Sequence, residues 1–279
     1  MLGRWANEAA SMRIEMEVSS GRGLATMNPK CLPLLCDPDT HAPLQLAGDS
    51  LFNPETGARY PIRDGIPAFA EHPAGTNQTQ QAIYDRLAKI YDLNERVFGL
   101  FFSTRHMRRQ FIRELEAPPA ARVLEVSVGT GANLSYFDSD VGLFGLDVSW
   151  GMLRKCARKV KESGLNAQLF QGEAERLPFR DGVFDSVFCI GAINFFRDQA
   201  HAVEEMVRVA RPGTKILIFG GTQKAVPSWY KNNRLVRWYF LETTKPGVRP
   251  IDLVPRATTA IQLREIVAGM GYCLTFRKQ

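Results

Sequence analysis

The chain has 279 residues, 45% of them hydrophobic and 23% charged, with a formal net charge of +6. That balance fits a folded globular protein and excludes a low-complexity or strongly charged disordered chain. No apolar run approaches the ~20 residues needed to cross a bilayer, and Glu8, Glu15 and Glu17 interrupt the first thirty residues, which therefore do not read as a signal peptide.

In chain order, residues 1–30 are expected to be a poorly ordered leader. Residues 31–75 are rich in Pro, Asp and Gly, with short apolar pieces at Leu51-Phe52 and Tyr60-Pro61-Ile62, and predict a small β-rich module with tight turns. Residues 78–116 have helical periodicity, carried by Ile83, Leu87, Ile90 and Tyr91, by Phe98, Phe101 and Phe102, and by Met107, Phe111, Ile112 and Leu115. From Ala121 strands alternate with helices. Strands are expected at Arg122–Val128, Leu143–Val148, Ala167–Gln171, Val183–Ile190 and Lys215–Phe219, and helices at Ala132–Phe137, Gly151–Lys161 and Gln199–Ala210. After an insertion over 222–257, a helix is expected at Thr259–Met270 and a last strand at Tyr272–Arg277. Such alternation predicts an α/β fold: a doubly wound, mostly parallel sheet with helices on both faces. The five cysteines (Cys31, Cys36, Cys156, Cys189 and Cys273) are odd in number and scattered, so no disulfide framework is expected, and the cytoplasm is the expected location.

The central motif runs Val123-Leu124-Glu125-Val126-Ser127-Val128-Gly129-Thr130-Gly131. An apolar strand ends near an acid, and a glycine-containing turn follows. Gly129 and Gly131 let the backbone approach a ligand closely, at the sheet edge where doubly wound folds bind nucleotides. Sixteen residues beyond Gly131 the next strand ends in Asp147, whose carboxylate can accept both hydroxyls of a ribose. The third strand leads into Gln171-Gly172-Glu173-Ala174-Glu175 and Leu177-Pro178-Phe179, and the fourth is Phe184-Asp185-Ser186-Val187-Phe188-Cys189.

This ordered series resembles the class I S-adenosylmethionine-dependent methyltransferases, in particular the branch of the ubiquinone/menaquinone C-methyltransferases. The resemblance covers residues 80–279 and implies a Rossmann-like fold with S-adenosyl-L-methionine as cofactor. It further implies that Glu125 lies by the methionine amino group, that Gly129 and Gly131 line methionine and ribose, and that Asp147 with Val148 holds the ribose. Glu173 and Ala174 would meet the adenine, Ile190 would pass beneath the cofactor, and Tyr91 would belong to an amino-terminal lid at 78–116. The family commonly has glycine where this chain has Ser127 and aspartate where it has Glu173, and it closes with a further antiparallel strand that this reading lacks. A different resemblance concerns residues 31–75, which are similar to a zinc-ribbon-like module. Its knuckles here read Cys36-x-x-Asp39 and Asn53-x-x-Thr56, a poor ligand set, so no metal is expected.

The expected acceptor is a small hydrophobic or aromatic molecule, and the basic carboxyl-terminal region suits one that is also anionic: ten Lys and Arg from Lys224 onward stand against Glu242, Asp252 and Glu265. That region also leaves peripheral membrane contact open and supports an alternative, an RNA base methyltransferase. A second alternative is a non-catalytic cofactor-binding or scaffolding protein. Candidates for catalysis or substrate contact are His106, Asn194 and His201. A roof of the 78–116 helices and the 222–257 insertion is expected over the acceptor.

Overall fold

The computed structural model describes residues 27–71, 73, 75, 77–85, 104–222, 249–266 and 268–279. A seven-stranded sheet forms the larger part, built from β5 (Arg122–Val126), β6 (Gly142–Asp147), β7 (Ala167–Gln171), β8 (Ser186–Ile190), β9 (Lys215–Gly221), β10 (Thr258–Ile266) and β11 (Gly271–Lys278). Its order is β10-β11-β9-β8-β5-β6-β7. The β5–β9 strands pair in parallel, whereas β11 runs antiparallel to both β9 and β10. The chain moves outward from β5 to β7 and then returns to the other side of β5. The reversal lies between β5 and β8, and the crevice of a doubly wound sheet opens at the carboxyl ends of the strands flanking such a point.

Alternating side chains divide the core between the two faces of this sheet. Leu124, Val126, Val187, Cys189, Ile216 and Ile218 join one apolar cluster, and Val123, Phe188 and Leu217 join the other. Helix α4 (Gln199–Val209) covers the first face with Ala202, Val203 and Met206. Helices α2 (Thr104–Glu114) and α3 (Trp150–Ser163) cover the second, with Phe111 and Ile112 from one and Leu153 and Cys156 from the other. Helix α3 starts where the Ser149 side chain caps the Met152 N–H and stops at left-handed Gly164. A further helical stretch, α1 (77–85), crosses the carboxyl edge of the sheet. Among the described residues no helix is long and apolar enough to cross a membrane.

A smaller antiparallel sheet of β1 (Gln45–Ala47), β2 (Ser50–Phe52), β3 (Arg59–Arg63) and β4 (Ile66–Pro67) forms the amino-terminal module. Its last hairpin turns through Asp64 and Gly65, both at positive φ, a geometry that favours this Asp-Gly pair. Two lines of backbone hydrogen bonds dock the module on the larger sheet. The Cys36 N–H donates to the Pro178 carbonyl and the Arg180 N–H to the Leu34 carbonyl, while Phe69 N–H donates to the Gln171 carbonyl at the end of β7. The free edge of β7 is thereby partly covered. Beneath it, Phe179 and Phe184 pack edge to face with Phe144, Phe170 stacks parallel to Phe144 and meets Phe179 edge-on, and Leu35, Leu51, Tyr60 and Phe69 of the module belong to the same core.

Inside the module, hydrogen bonds converge on Asp37, between Cys36 and Asp39. The buried Asp37 carboxylate accepts from the Asp39 and Thr40 backbone at 2.9 and 3.0 Å, from Asn53 Nδ2 at 2.8 Å and from the Tyr60 hydroxyl at 2.9 Å. Asn53 Oδ1 in turn accepts from the Glu55 N–H at 2.9 Å.

Three expectations fail here. Residues 259–270 are not a helix: β10 occupies Thr258–Ile266, with a bulge between Thr259 and Gln262. The β-branched residues and the alternation of Ile261 and Leu263 suit a strand, and pairing with β11 decides the matter. The sheet consequently does not lack its closing antiparallel strand, because β11 is inserted between β9 and β10. The helix expected at 132–137 is reduced to a three-residue 3-10 turn, Leu134–Tyr136. The left-handed positions at Ser127, Gly129 and Gly131 take up the start of the link from β5 to β6 with a turn instead of helix. The leader at 1–26 lies outside the described residues, as do residues 86–103 of the expected lid and 223–248 of the insertion.

Candidate functional site

The turn after β5 has an alternating left-handed backbone, with φ of +62° at Ser127, +54° at Gly129 and +75° at Gly131. Position 127 is thus one where glycine is the unstrained residue, and serine holds it at a steric cost. The Val128 N–H is held by the Leu146 carbonyl of β6 at 2.9 Å. The two glycines have different reasons to be glycine. A Cβ on Gly129 would point into open space, with nothing within 4 Å, whereas one on Gly131 would lie 2.7 Å from Cys156 Sγ. Gly131 therefore serves the approach of α3, and Gly129 leaves an open face. Gly191, just past β8 at φ +85°, likewise has nothing within 4 Å of a built Cβ. The tips of the two strands flanking the switch point so form an open backbone cradle.

Asp147, at the tip of β6, ties this turn to the start of α3. Its Oδ2 accepts from the Gly129 N–H at 2.8 Å and its Oδ1 from the Ser149 N–H at 2.9 Å. Burial pushes its carboxyl up to about 6, aided by the charge of Asp85, while the backbone donors of Ser149, Gly129 and Val148 pull the other way. An ionised carboxylate offers about four acceptor sites, so the group keeps capacity for hydroxyl donors from a ligand.

Glu125 is buried on β5, where its Oε1 accepts from Asn133 Nδ2 at 2.5 Å; Asn133 Oδ1 accepts from Arg108 Nη1 on α2 at 2.6 Å. Beyond β7, buried Glu173 accepts from Asn77 Nδ2 at 2.8 Å and pairs with Arg176, which also reaches Asp39 of the module at 2.7 Å. Asn77 donates to Glu175 as well, at 3.0 Å. Ala174 is buried in the same loop. The Val148 carbonyl accepts from Gln81 and Gln171, both at 3.1 Å. Asp85 accepts from Ser149 Oγ at 2.6 Å and Gly151 N–H at 2.7 Å. Asn77, Gln81 and Asp85, spaced four apart along α1, thus lay one polar stripe across the ends of β6 and β7. This stripe escaped the sequence reading, which followed the apolar residues of the segment; the spacing of four was its visible signal.

The fold brings Glu125, Ser127, Gly129, Gly131, Asp147, Val148, Glu173, Ala174 and Ile190 to the same edge of the sheet. Tyr91 lies outside the described residues. Asn194 follows β8 as expected, but its Nδ2 donates to the Gly221 carbonyl at 2.7 Å, bracing that turn against β9. His201 sits in the first turn of α4, exposed and 3.3 Å from Glu204, and His106 is exposed on α2. Near Asn194, Phe195 packs edge-on with Tyr84 of α1, ring centroids 6.2 Å apart.

A strand-turn-acid arrangement of this kind at the switch point matches known sequences. The methyltransferase domain model covers residues 124–218. A demethylmenaquinone methyltransferase of Beutenbergia cavernae is 30% identical over 176 residues, 63% of this chain and 70% of its own. The chain belongs to the class I S-adenosylmethionine-dependent methyltransferases. A second member, the ubiquinone/menaquinone biosynthesis C-methyltransferase UbiE of Geotalea daltonii, is 29% identical over 168 residues, 58% of this chain and 70% of its own. Among solved structures, the [4+2]-cyclase SpnF shares the methyltransferase fold with a TM-score of 0.56 at 18% identity, covering 74% of this chain and 98% of its own.

Proposed function

We propose that this methyltransferase moves a methyl group onto a small hydrophobic acceptor of the quinone class, the class named for its curated relatives. The observation that carries the cofactor side is the buried Asp147 carboxylate, which gathers the Gly129 turn and the start of α3 around one acceptor site. In this reading Asp147 receives the ribose hydroxyls, and the open faces of Gly129 and Gly191 admit the thioether and methionine. Glu125 takes the ammonium of the amino acid, and Ala174 with the loop carrying Glu173 borders the adenine. The cofactor, when bound, supplies an electrophilic methyl on a sulfonium.

The task left to the chain is to align the acceptor atom with that methyl and sulfur and to exclude water. The Tyr84–Phe195 pair is proposed as part of the apolar wall against which a flat ring lies. An acceptor that arrives ionised needs no base, and none is assigned: His201 is engaged with Glu204 and Asn194 with Gly221. Residues 31–75 are proposed as a built-in support that braces the 171–180 loop from both ends.

Calorimetric titration with S-adenosylhomocysteine, on wild type and Asp147→Ala, tests the cofactor side. Micromolar binding that weakens about tenfold in the variant is expected, the loss of at least one charge-assisted hydrogen bond. Transfer of label from S-adenosylmethionine to a reduced demethylated naphthoquinone tests the acceptor. Binding of cofactor without any such transfer refutes the quinone class and leaves the cofactor site standing.

A further inference from the structure

Arg108, Asn133 and Glu125 form a hydrogen-bonded series that joins a helix on one face of the sheet to an acid at the floor of the site. Arg108 is half-buried on α2, and Asn133 and Glu125 are both buried. The contacts are 2.6 Å from Arg108 Nη1 to Asn133 Oδ1 and 2.5 Å from Asn133 Nδ2 to Glu125 Oε1. A primary amide suits the middle position, because it accepts through oxygen and donates through nitrogen at once. The guanidinium polarises the amide so that its N–H donates more strongly to the carboxylate.

We propose that Arg108 is a positioning residue for the amino-acid end of the cofactor: through Asn133 it fixes the Glu125 carboxylate in the orientation that receives the ligand's ammonium. Arg108 has no role in holding the nucleoside, which lies with Asp147 and the 173–174 loop. The inference rests on the cofactor reading above, in which Glu125 takes the ammonium. A purely structural role, tying α2 to the sheet, would affect every part of the ligand alike. The two roles therefore differ in which ligand fragment feels the substitution.

The test compares S-adenosylhomocysteine with 5′-methylthioadenosine, which keeps the nucleoside and thioether but lacks the amino acid. Calorimetric titration of wild type should show a clear preference for S-adenosylhomocysteine. In Arg108→Met the dissociation constant for S-adenosylhomocysteine should rise about tenfold, the equivalent of one charge-assisted hydrogen bond, and that for 5′-methylthioadenosine should stay within about twofold. Asn133→Ala should repeat the pattern. Arg108→Lys, which keeps a cationic donor, should restore part of the preference and serves as the readout if the methionine variant melts early. Parallel weakening of both ligands in the variants, or no change in either, overturns the relay while the cofactor site stands. Failure of wild type to bind S-adenosylhomocysteine overturns the cofactor reading and the relay with it.

Discussion

Removing Asp37 should unfasten the amino-terminal module. Its carboxylate accepts from two backbone amides, Asn53 Nδ2 and the Tyr60 hydroxyl, with Asn53 fully buried. In Asp37→Ala, water can reach the two backbone groups at the turn, but the Asn53 and Tyr60 donors lose an interior acceptor at about 1–3 kcal/mol each. The expected loss is about 3–5 kcal/mol at pH 7, in line with breaking a buried charge network. Because the module shares its core with Phe170 and Phe179, the loss should appear in the main urea transition. The pH dependence is a second check. Burial alone would raise the Asp37 carboxyl, but hydrogen bonds from Asn53, Thr40, Asp39 and Tyr60 outweigh it and hold the group below the usual carboxylate range. A depressed folded value gives stability that is present above the unfolded value of about 3.9 and is lost as pH falls through the folded one. The gap between wild type and Asp37→Asn should accordingly be full at pH 5–7 and close below about pH 4. A gap under about 1 kcal/mol at pH 7, or one that ignores pH, refutes the claim that this carboxylate is the module's cross-link.

Gly131→Ala should destabilise by about 2–4 kcal/mol in urea melts, since its Cβ meets Cys156 Sγ at 2.7 Å and its φ is +75°. Gly129→Ala meets no atom within 4 Å and should cost only the left-handed penalty of about 1–2 kcal/mol, yet it should weaken S-adenosylhomocysteine binding; unchanged affinity would move the ligand off this face. Ser127→Gly, relieving φ +62°, should shift the urea midpoint upward by up to about 1 kcal/mol, a gain limited by the added freedom of the unfolded chain. With the Asp147 carboxyl near 6, S-adenosylhomocysteine affinity should fall about tenfold from pH 7 to pH 5 as the ribose acceptor is protonated, and Asp147→Asn should flatten that profile.

The parallel core was legible because its strands are short apolar runs and its helices have one apolar face. Ala167–Gln171 lies where the residues predicted, and α3 and α4 differ from expectation by one or two residues at their ends. The misreading of 259–270 has a physical cause: Leu263, Ile266 and Met270 fall at helical spacing, while Ile261 and Leu263 alternate as in a strand. Only the pairing of β10 with β11, a contact within the sheet, separates the two. At the site, strand-tip residues such as Asp147 could be placed from position alone. Their partners could not, because Asn77 and Arg108 reach their acceptors across 96 and 25 residues of chain, and Asn53 reaches Asp37 across 16, through folds of the backbone that no local pattern encodes. Asp37 looked like the filler of a knuckle whose fourth position was Asp39, yet the first of the two acids is the buried one.

Asp37 and Asp147 show how differently the chain treats two buried acids. Asp37 is surrounded by side-chain and backbone donors, its carboxyl is lowered, and its charge stabilises the fold above acid pH. Asp147 has backbone donors only, a second carboxylate at Asp85 nearby, and a raised carboxyl. By the same linkage its contribution is present below the unfolded value of about 3.9 and is lost as pH rises through about 6, so at neutral pH its charge opposes folding. Substituting a neutral residue should therefore cost stability at position 37 and cost little beyond the backbone ties at position 147. Nothing in the sheet needs a charge at Asp147, since a neutral acceptor could receive an amide from the turn. A charge held at a cost to the fold, beside an open backbone cradle and on the strand tip next to the switch point, is what a site requires when its missing donors arrive with a ligand.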